Sequence, residues 1–182
     1  MRYGPVAEKD KSGRTVILRN AEVSDGEAMI RYLRKTTEET PFLLRDPEEV
    51  TFTPEQEAAF IQRCLDDDRG LMLVATVDEE LAGSCSMMCA GPFRRSRHRC
   101  EVAIALYRKF CGAGIGEMMM RAVLEAAGNA GYEQAELEVM AENDGAMALY
   151  RKLGFEPFGR FPHNMKYQDG SYADAIWMMK QL

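Results

Sequence analysis

The sequence predicts an α/β fold in which a mixed sheet of roughly seven strands is flanked by helices. Apolar and β-branched runs of strand length alternate with segments whose apolar residues recur every three or four positions, as on one face of a helix. These segments follow in the order β-α-α-β-β-β-α-β-α-β-β. The 182 residues contain no internal repeat or low-complexity linker, and this length is typical of one domain.

The first half of the chain begins with a polar N-terminal extension, 1–14, and the expected domain follows as 15–182. A β-branched strand at 15–18 leads into the first amphipathic helix. Thr53 precedes a proline at the first position of the second helix, and this pair is a strong helix start. The loop 36–51 between the two helices is longer than a connection needs, which favours a functional role.

The second half continues with two apolar runs joined by an acidic turn, which indicates a β-hairpin. Asparagine and glycine then mark helix boundaries, since asparagine commonly caps a helix start and glycine commonly ends a helix. The predicted elements are strands at 71–77, 81–88 and 99–106, a helix at 114–130, a strand at 135–139, a helix from 143 to 154, and strands at 155–160 and 173–179.

Composition and charge exclude several classes of protein. The net charge of −6, from 23 basic and 29 acidic residues, argues against a dedicated nucleic-acid-binding protein. Five cysteines without a CxxC pair and two histidines give no zinc-site spacing, so we expect no metal. The N-terminus has no apolar signal segment, and no stretch has the length of a membrane span. We therefore expect no membrane partner and a cytoplasmic location.

The most informative segment is a glycine-rich loop between a predicted strand and the helix after it. The loop consists of Cys111, Gly112, Ala113, Gly114, Ile115 and Gly116. Alternating glycines let a backbone approach a ligand closely, and a helix start offers free N–H groups, so the loop suits a phosphate or diphosphate. Tight packing between strand and helix is the alternative explanation for the glycines.

Three other kinds of nucleotide-binding loop fit this segment less well. A P-loop requires Gly-Lys-Ser/Thr, but Glu117 follows the last glycine. The same Glu117 occupies the third glycine position of the dinucleotide-binding fingerprint. Loops of GxGxG type also occur in proteins that bind S-adenosylmethionine, where an acidic residue is usual before the first glycine. Cys111 stands there, so a methyltransferase remains as the weaker alternative.

Two motifs resemble those of the GNAT superfamily of N-acetyltransferases. Gly114 and Gly116 fit the glycine positions of its diphosphate loop, Gln/Arg-x-x-Gly-x-Gly/Ala. Further along, residues 143–155 match its second hallmark, Asn-x-x-Ala-x-x-Leu-Tyr-x-x-x-Gly-Phe, at every element. The order of the predicted elements is also that of the family. One departure is Cys111, which stands where Gln or Arg is usual.

The resemblance implies acetyl-CoA as the co-substrate, bound between two parallel strands that splay apart. The main chain of Ile104, Ala105 and Leu106 would pair with its pantetheine arm, and the loop 111–116 would hold its diphosphate. Asn143 would contact the cofactor, although helix capping alone explains an asparagine there. The side chains of Ile104 and Leu106 are expected in the core.

The resemblance also implies catalytic roles. Tyr150 would protonate the leaving CoA thiolate, since a phenol is a weak acid that can reach the sulfur. Glu138 would take the proton of the attacking amine, with Glu101 on the preceding strand or a chain of waters as rivals. The implied function is an N-acetyltransferase that moves an acetyl group from acetyl-CoA to a primary amine by direct attack in a ternary complex.

The acceptor is open between a small-molecule amine and a protein or peptide amine. We expect its pocket to be formed by the loop 36–51, the second helix and the segment 161–172. A homodimer is compatible with the sequence, and a nucleic-acid partner is not expected. The alternative from another class is an acyl-CoA-binding or sensing protein without turnover, against which Tyr150 and an ionisable base argue.

Overall fold

The fold is an eight-stranded sheet with four α-helices, seen in a computed structural model that describes residues 1–182. The strands are β1 (Val6–Lys9), β2 (Thr15–Asn20), β3 (Leu71–Val77), β4 (Glu80–Cys89), β5 (Arg99–Leu106), β6 (Gln134–Met140), β7 (Glu156–Lys166) and β8 (Tyr172–Gln181). The helices are α1 (Gly26–Glu39), α2 (Pro54–Asp66), α3 (Ile115–Asn129) and α4 (Asp144–Lys152). Their spatial order in the sheet is β1-β2-β3-β4-β5-β6-β8-β7.

The predicted α/β fold and element order are confirmed, and the sheet has one strand more than the sequence predicted. The additional strand, β1, lies in the N-terminal extension and pairs antiparallel with β2 from Val6↔Leu18 to Lys9↔Thr15. All four of its residues are exposed, so no alternation of apolar and polar residues marks it as a strand. The boundary at residue 15 stays a prediction.

The start of α2 follows the predicted capping pattern. The Thr53 side chain accepts a hydrogen bond from Gln56 N, and the Gln56 side chain accepts one from Thr53 N, with Pro54 at the first helical position. Two backbone N–H groups that would lack a partner at a helix start are thereby satisfied.

The central strands β5 and β6 are the only parallel neighbours, and they pair over three positions, from Arg99↔Gln134 to Glu101↔Glu136. The opposite edge of β5 pairs with β4 as far as Leu106, and that of β6 pairs with β8 as far as Met140. Beyond Glu101 and Glu136, β5 therefore stays paired with β4 and β6 stays paired with β8, while β5 and β6 separate from each other. The predicted splay of the central strands is confirmed.

Helices cover the two faces of the sheet unequally. The main core joins α3 and α4 to one face through residues such as Leu73, Met119 and Tyr150. A smaller cluster joins α1 and α2 to Met72 and neighbouring residues on the other face, as the alternation of side chains along β3 requires. No α-helix has both the length and the apolar character that crossing a bilayer demands.

The turn between β1 and β2 is built around the carboxylate of Asp10, whose side chain has 0% exposure. Its Oδ1 accepts hydrogen bonds from Ser12 N, Ser12 Oγ and Arg14 N, and its Oδ2 accepts one from Arg14 Nε. Burial alone would raise the pKa of Asp10, but these donors outweigh it and lower the pKa to about 2. The ionised carboxylate thus holds the turn in one conformation.

We expect Asp10→Asn to lower the melting temperature at neutral pH by several degrees, because an amide accepts fewer and weaker hydrogen bonds. The folded-state pKa lies below the unfolded value of 3.8, so the carboxylate stabilises the fold above that value and stops doing so as the pH falls towards about 2. The difference between wild type and variant should therefore shrink below about pH 4. Thermal denaturation across this range measures it, and a difference independent of pH would contradict the assignment.

Candidate active site

The opening between β5 and β6 is the centre of the candidate site. Ile104, Ala105 and Leu106, the residues expected to pair with the cofactor, all lie on β5 beyond the last pair with β6. The side chains of Ile104 and Leu106 pack against the main core, and Ala105 packs against the cluster under α1. These side chains are thus partly buried against the core, and the inner edge of this part of β5 has no partner strand.

The glycine loop joins β5 to α3, and its glycines serve different purposes. Gly112 has φ +79° and Gly114 has φ +90°, the left-handed region that side chains disfavour. A Cβ on Gly116 would lie 3.4 Å from Leu106 Cδ1 and 3.6 Å from Leu149 Cδ2, so this glycine permits close packing of α3 on its neighbours. The packing explanation therefore holds at Gly116, while Gly112 and Gly114 are required by the backbone conformation.

The start of α3 is suited to an anion. Gly114 is its N-cap, and no side chain accepts a hydrogen bond there. The first N–H groups of the helix consequently have no side-chain partner, and the positive end of the helix dipole lies with them. A Cβ on Gly112 would meet no atom within 4 Å, so that edge of the loop is open on the outside. The loop fits a diphosphate on these grounds.

Helix α1 fixes the end of β5, a feature that the sequence analysis missed. Tyr32 is 2% exposed; its Oη donates to Ala105 O at 2.6 Å and accepts from Ser84 N at 3.2 Å. Ser84 and Ala105 face each other in the β4–β5 register, so the phenol bridges these two strands. Burial raises the pKa of Tyr32 and keeps it protonated as a donor. Further along, Arg108 N donates to Glu39 Oε2 at 2.7 Å.

Tyr150 and Asn143 both belong to α4. Tyr150 is 7% exposed and meets Phe155 edge to face, with ring centroids 5.9 Å apart. Burial raises the pKa of Tyr150 above the ordinary 10.0, so the phenol keeps its proton at neutral pH. Asn143 caps the helix, since its Oδ1 accepts from Ala146 N at 3.2 Å. This bond leaves the Asn143 Nδ2 amide as a donor for another partner.

Glu138 lies on β6 two positions beyond the last pair with β5. Its Oε2 accepts from Trp177 Nε1 at 2.7 Å, and its Oε1 accepts from Asn164 Nδ2 at 2.8 Å. Both donors come from the hairpin of β7 and β8, so this hairpin orients the carboxylate beside the opening. The neighbouring Glu136 is bound instead to Arg99 at 3.0 Å.

Glu101 is opposite Glu136 in the parallel register, at the last position where β5 and β6 still pair. It is exposed and forms neither an ion pair nor a side-chain hydrogen bond within the chain. By strand alternation Glu101 and Glu138 share the face that carries α1 and α2. The structure therefore brings both candidate bases to one face but gives positioned donors to Glu138 alone.

Cys111 lies at the start of the glycine loop, where its thiol contacts Tyr107 O at 3.6 Å. Burial and the charge of Glu39 raise the pKa of the Cys111 thiol. A thiol that stays protonated is a poor nucleophile, so a covalent role for Cys111 has no support. Nowhere in the chain do three or more His, Cys, Asp or Glu side chains form a potential metal-binding group.

Two of the three segments expected to form the acceptor pocket meet on the same face as Glu138. Phe42 from the first segment and Met165 and Tyr167 from the last pack against one small buried cluster that contains Met140 and Ala173. Gln168 Nε2 donates to Asp46 Oδ2 and to a second acidic side chain of the same loop, both at 3.2 Å. The loop after α1 and the β7–β8 hairpin are thus joined, whereas α2 packs against α1 and β3.

An aromatic cluster adjoins Glu138 through Trp177, whose indole donates to it. Trp177 stacks on Phe161 with ring centroids 5.9 Å apart and planes 8° from parallel, and Phe158 lies 6.2 Å from the same indole. All three rings are partly exposed. Aromatic faces next to a carboxylate form a surface that attracts cations.

Known protein sequences are similar to this chain. The family model described as acetyltransferase (GNAT) family matches residues 33–155. An L-amino acid N-acetyltransferase of Escherichia coli is 28% identical over 169 residues, covering 91% of this chain and 97% of that protein.

Solved structures show the same fold. A GNAT-family acetyltransferase of Streptococcus pneumoniae superposes with a TM-score of 0.87 at 24% identity, covering 92% of this chain and 99% of that one. A putative acetyltransferase of Salmonella typhimurium, determined with its cofactor acetyl-CoA, gives a TM-score of 0.82 at 18% identity, covering 92% and 94%. The resemblance predicted from the two sequence motifs is confirmed, and the chain belongs to the acetyltransferase (GNAT) family.

Proposed function

We propose that the protein transfers an acetyl group from acetyl-CoA to a primary amine by direct attack in a ternary complex. The observation that carries this proposal is the opening between β5 and β6, which is followed along the chain by a glycine loop and the uncapped start of α3. Tyr150 and Glu138 belong to opposite faces of the same sheet. Acetyl-CoA bound to the Salmonella relative supports the choice of co-substrate.

The residues present fit acetyl-CoA along its length. Beyond Glu101 the inner edge of β5 has no strand partner, so its main chain can pair with the amides of the pantetheine arm as with an added strand. The loop from Cys111 to Gly116 places helix N–H groups at the diphosphate. When bound, acetyl-CoA supplies an activated acyl group as its thioester.

Tyr150 acts as the acid in this proposal. Its buried phenol remains protonated, and no strong hydrogen bond within the chain competes for it, so it can donate to the sulfur as negative charge develops there. Burial makes a phenol a weaker acid, but it also disfavours the thiolate formed in the same surroundings. Proton donation is therefore most useful when the leaving group departs.

Glu138 acts as the base and removes a proton from the amine that attacks. The bonds from Trp177 and Asn164 orient the carboxylate, and each of its oxygens keeps a second acceptor site. Glu101 is the rival base, because no hydrogen-bond donor within the chain fixes the orientation of its carboxylate. It lies, however, at the closed end of the opening.

The acceptor class that the site supports best is a cationic amine. The aromatic rings of Phe161 and Trp177 and the carboxylate of Glu138 share one exposed surface, and such a surface attracts ammonium groups before they are deprotonated. The amino-acid acceptor in the name of the Escherichia coli relative supports α-amines as the first compounds to assay. CoA release in a panel of amino acids, peptides and polyamines tests the proposal, and no release with any of them would favour a binding protein without turnover.

The cofactor loop is tested by comparing Gly114→Asp with Gly114→Asn. Both side chains impose the same size and strain at φ +90°, but only aspartate adds a negative charge against the diphosphate. We expect Gly114→Asp to bind acetyl-CoA at least about tenfold more weakly than Gly114→Asn, or ~1.4 kcal/mol. Isothermal calorimetry measures both, and equal affinities in two folded variants would overturn the assignment of the loop.

The acid is tested with Tyr150→Phe, which keeps the ring packed against Phe155 and removes only the proton donor. We expect kcat to fall by about 10²–10⁴-fold, the usual contribution of a positioned acid, with acetyl-CoA affinity almost unchanged. Pre-steady-state release of CoA and calorimetry separate the two quantities. A variant that loses affinity but keeps its kcat would assign Tyr150 to binding instead.

The base is tested with Glu138→Gln and Glu101→Gln, assayed across pH. Glu138→Gln should lower turnover near neutral pH and recover part of it as the pH rises, because more of the amine then arrives without its proton. Glu101→Gln should keep the wild-type profile. Thermal melts establish that both variants fold, and the reverse pattern of pH profiles would move the base to Glu101.

A further inference from the structure

The turn between β1 and β2 is docked on the glycine loop. Lys11 N donates to Ala113 O at 3.0 Å. The Lys11 stem crosses the loop so closely that a Cβ on Gly114 would lie 3.4 Å from Lys11 Cγ and 3.5 Å from its Cε. The N-terminal extension therefore delivers an ammonium group to the N-cap of α3.

Two further contacts hold this turn in place. The buried carboxylate of Asp10 fixes its backbone through Ser12 and Arg14. The Arg14 guanidinium lies over the Phe110 ring, 5.5 Å from its centroid. The turn thus contacts the chain just before the glycine loop and also within that loop. These contacts, and not only its flexible side chain, hold Lys11 near Gly114.

Several other cations around the loop are paired with carboxylates, and Arg108 is the exception. Lys109 is paired with Glu80, and Glu117 binds both Arg121 and Lys152. Lys11 forms no ion pair with any acidic residue of the chain. Its charge is available for a ligand at the start of α3.

The position that usually carries Gln or Arg in this loop holds Cys111, which is uncharged because its thiol has a raised pKa. The loop itself therefore lacks a side chain that could donate strongly to a phosphate oxygen. Lys11 reaches the same loop from another element.

We propose that the Lys11 ammonium binds the diphosphate of acetyl-CoA and so replaces the donor that Cys111 does not provide. This inference rests on the proposed function, in which the loop holds that diphosphate. The N-terminal extension is then part of the cofactor site. An ammonium group acts as a point charge with three donors, so its contribution is electrostatic and weakens with salt.

Lys11→Met tests the charge, because methionine keeps an unbranched stem over Gly114 and removes the ammonium. We expect the Kd for acetyl-CoA, measured by calorimetry at low salt, to rise by about 5- to 20-fold, as for loss of one charge-assisted hydrogen bond. Lys11→Glu should weaken binding further. Lys9→Ala, on the same hairpin and bound only to Thr15, is the matched control and should bind as the wild type does.

Truncated cofactors locate the contact. Acetyl-dephospho-CoA keeps the diphosphate and lacks the 3′-phosphate, so Lys11→Met should weaken its binding by the same factor. S-acetylpantetheine has no phosphate, so the variant and the wild type should use it equally well. A loss with acetyl-CoA that disappears with the dephospho form would assign Lys11 to the 3′-phosphate and overturn the proposal.

The exchange of roles between the two positions has its own test. Adding Cys111→Arg to Lys11→Met should restore most of the lost affinity, and a double variant as weak as Lys11→Met would contradict the exchange. Arg108 is the rival cation, and a loss in Arg108→Ala with none in Lys11→Met would transfer the role to it. Failure of the wild type to bind acetyl-CoA would instead refute the proposed function, so the two failures are distinguishable.

Discussion

The early end of the β5–β6 ladder is the constraint on which the site depends. After Glu101 and Glu136 these strands no longer pair, yet each stays fully paired on its outer edge, to β4 and to β8. A strand held along one side can leave its other edge free without unfolding. Tyr32, which bridges β4 and β5, adds a fixed point near the end of β5, within the part that no longer pairs with β6. The opening is thus a property of the whole sheet.

The opening also connects two faces that a closed sheet would separate. Tyr150 belongs to the core on the side of α3 and α4, while Glu138 projects from β6 on the other side. In a continuous sheet the backbone layer would lie between them. In the proposed reaction the acid donates a proton on one side of the transferred acetyl group, and the base accepts a proton on the other side. Because the acid and the base lie on opposite faces of the sheet, they do not exchange a proton with each other. Because β5 and β6 separate, an acid on one face and a base on the other can act on the same acetyl transfer.

Features with local signals could be predicted from the sequence, and those with long-range causes could not. The left-handed backbone at Gly112 and Gly114 and the cap at Asn143 each require particular residue types within a few positions. The strand β1 has no such requirement, since its residues are exposed and only its pairing with β2 defines it. Tyr32 likewise reads as one more apolar position of α1, and only the folded chain shows its bonds to β4 and β5.

The glycine loop shows how the two kinds of information combine. Its backbone conformation is demanded locally, because φ values near +80° to +90° call for glycine at Gly112 and Gly114. A positive charge at the loop need not come from the loop's own residues, because Coulomb attraction depends on distance in space and not on separation along the chain. A cation from the β1–β2 turn can therefore serve a phosphate as well as one at Cys111. The absence of a charged residue from the motif does not by itself mean that the site lacks a positive charge. In this fold Lys11 is held beside the glycine loop, where its ammonium can supply that charge.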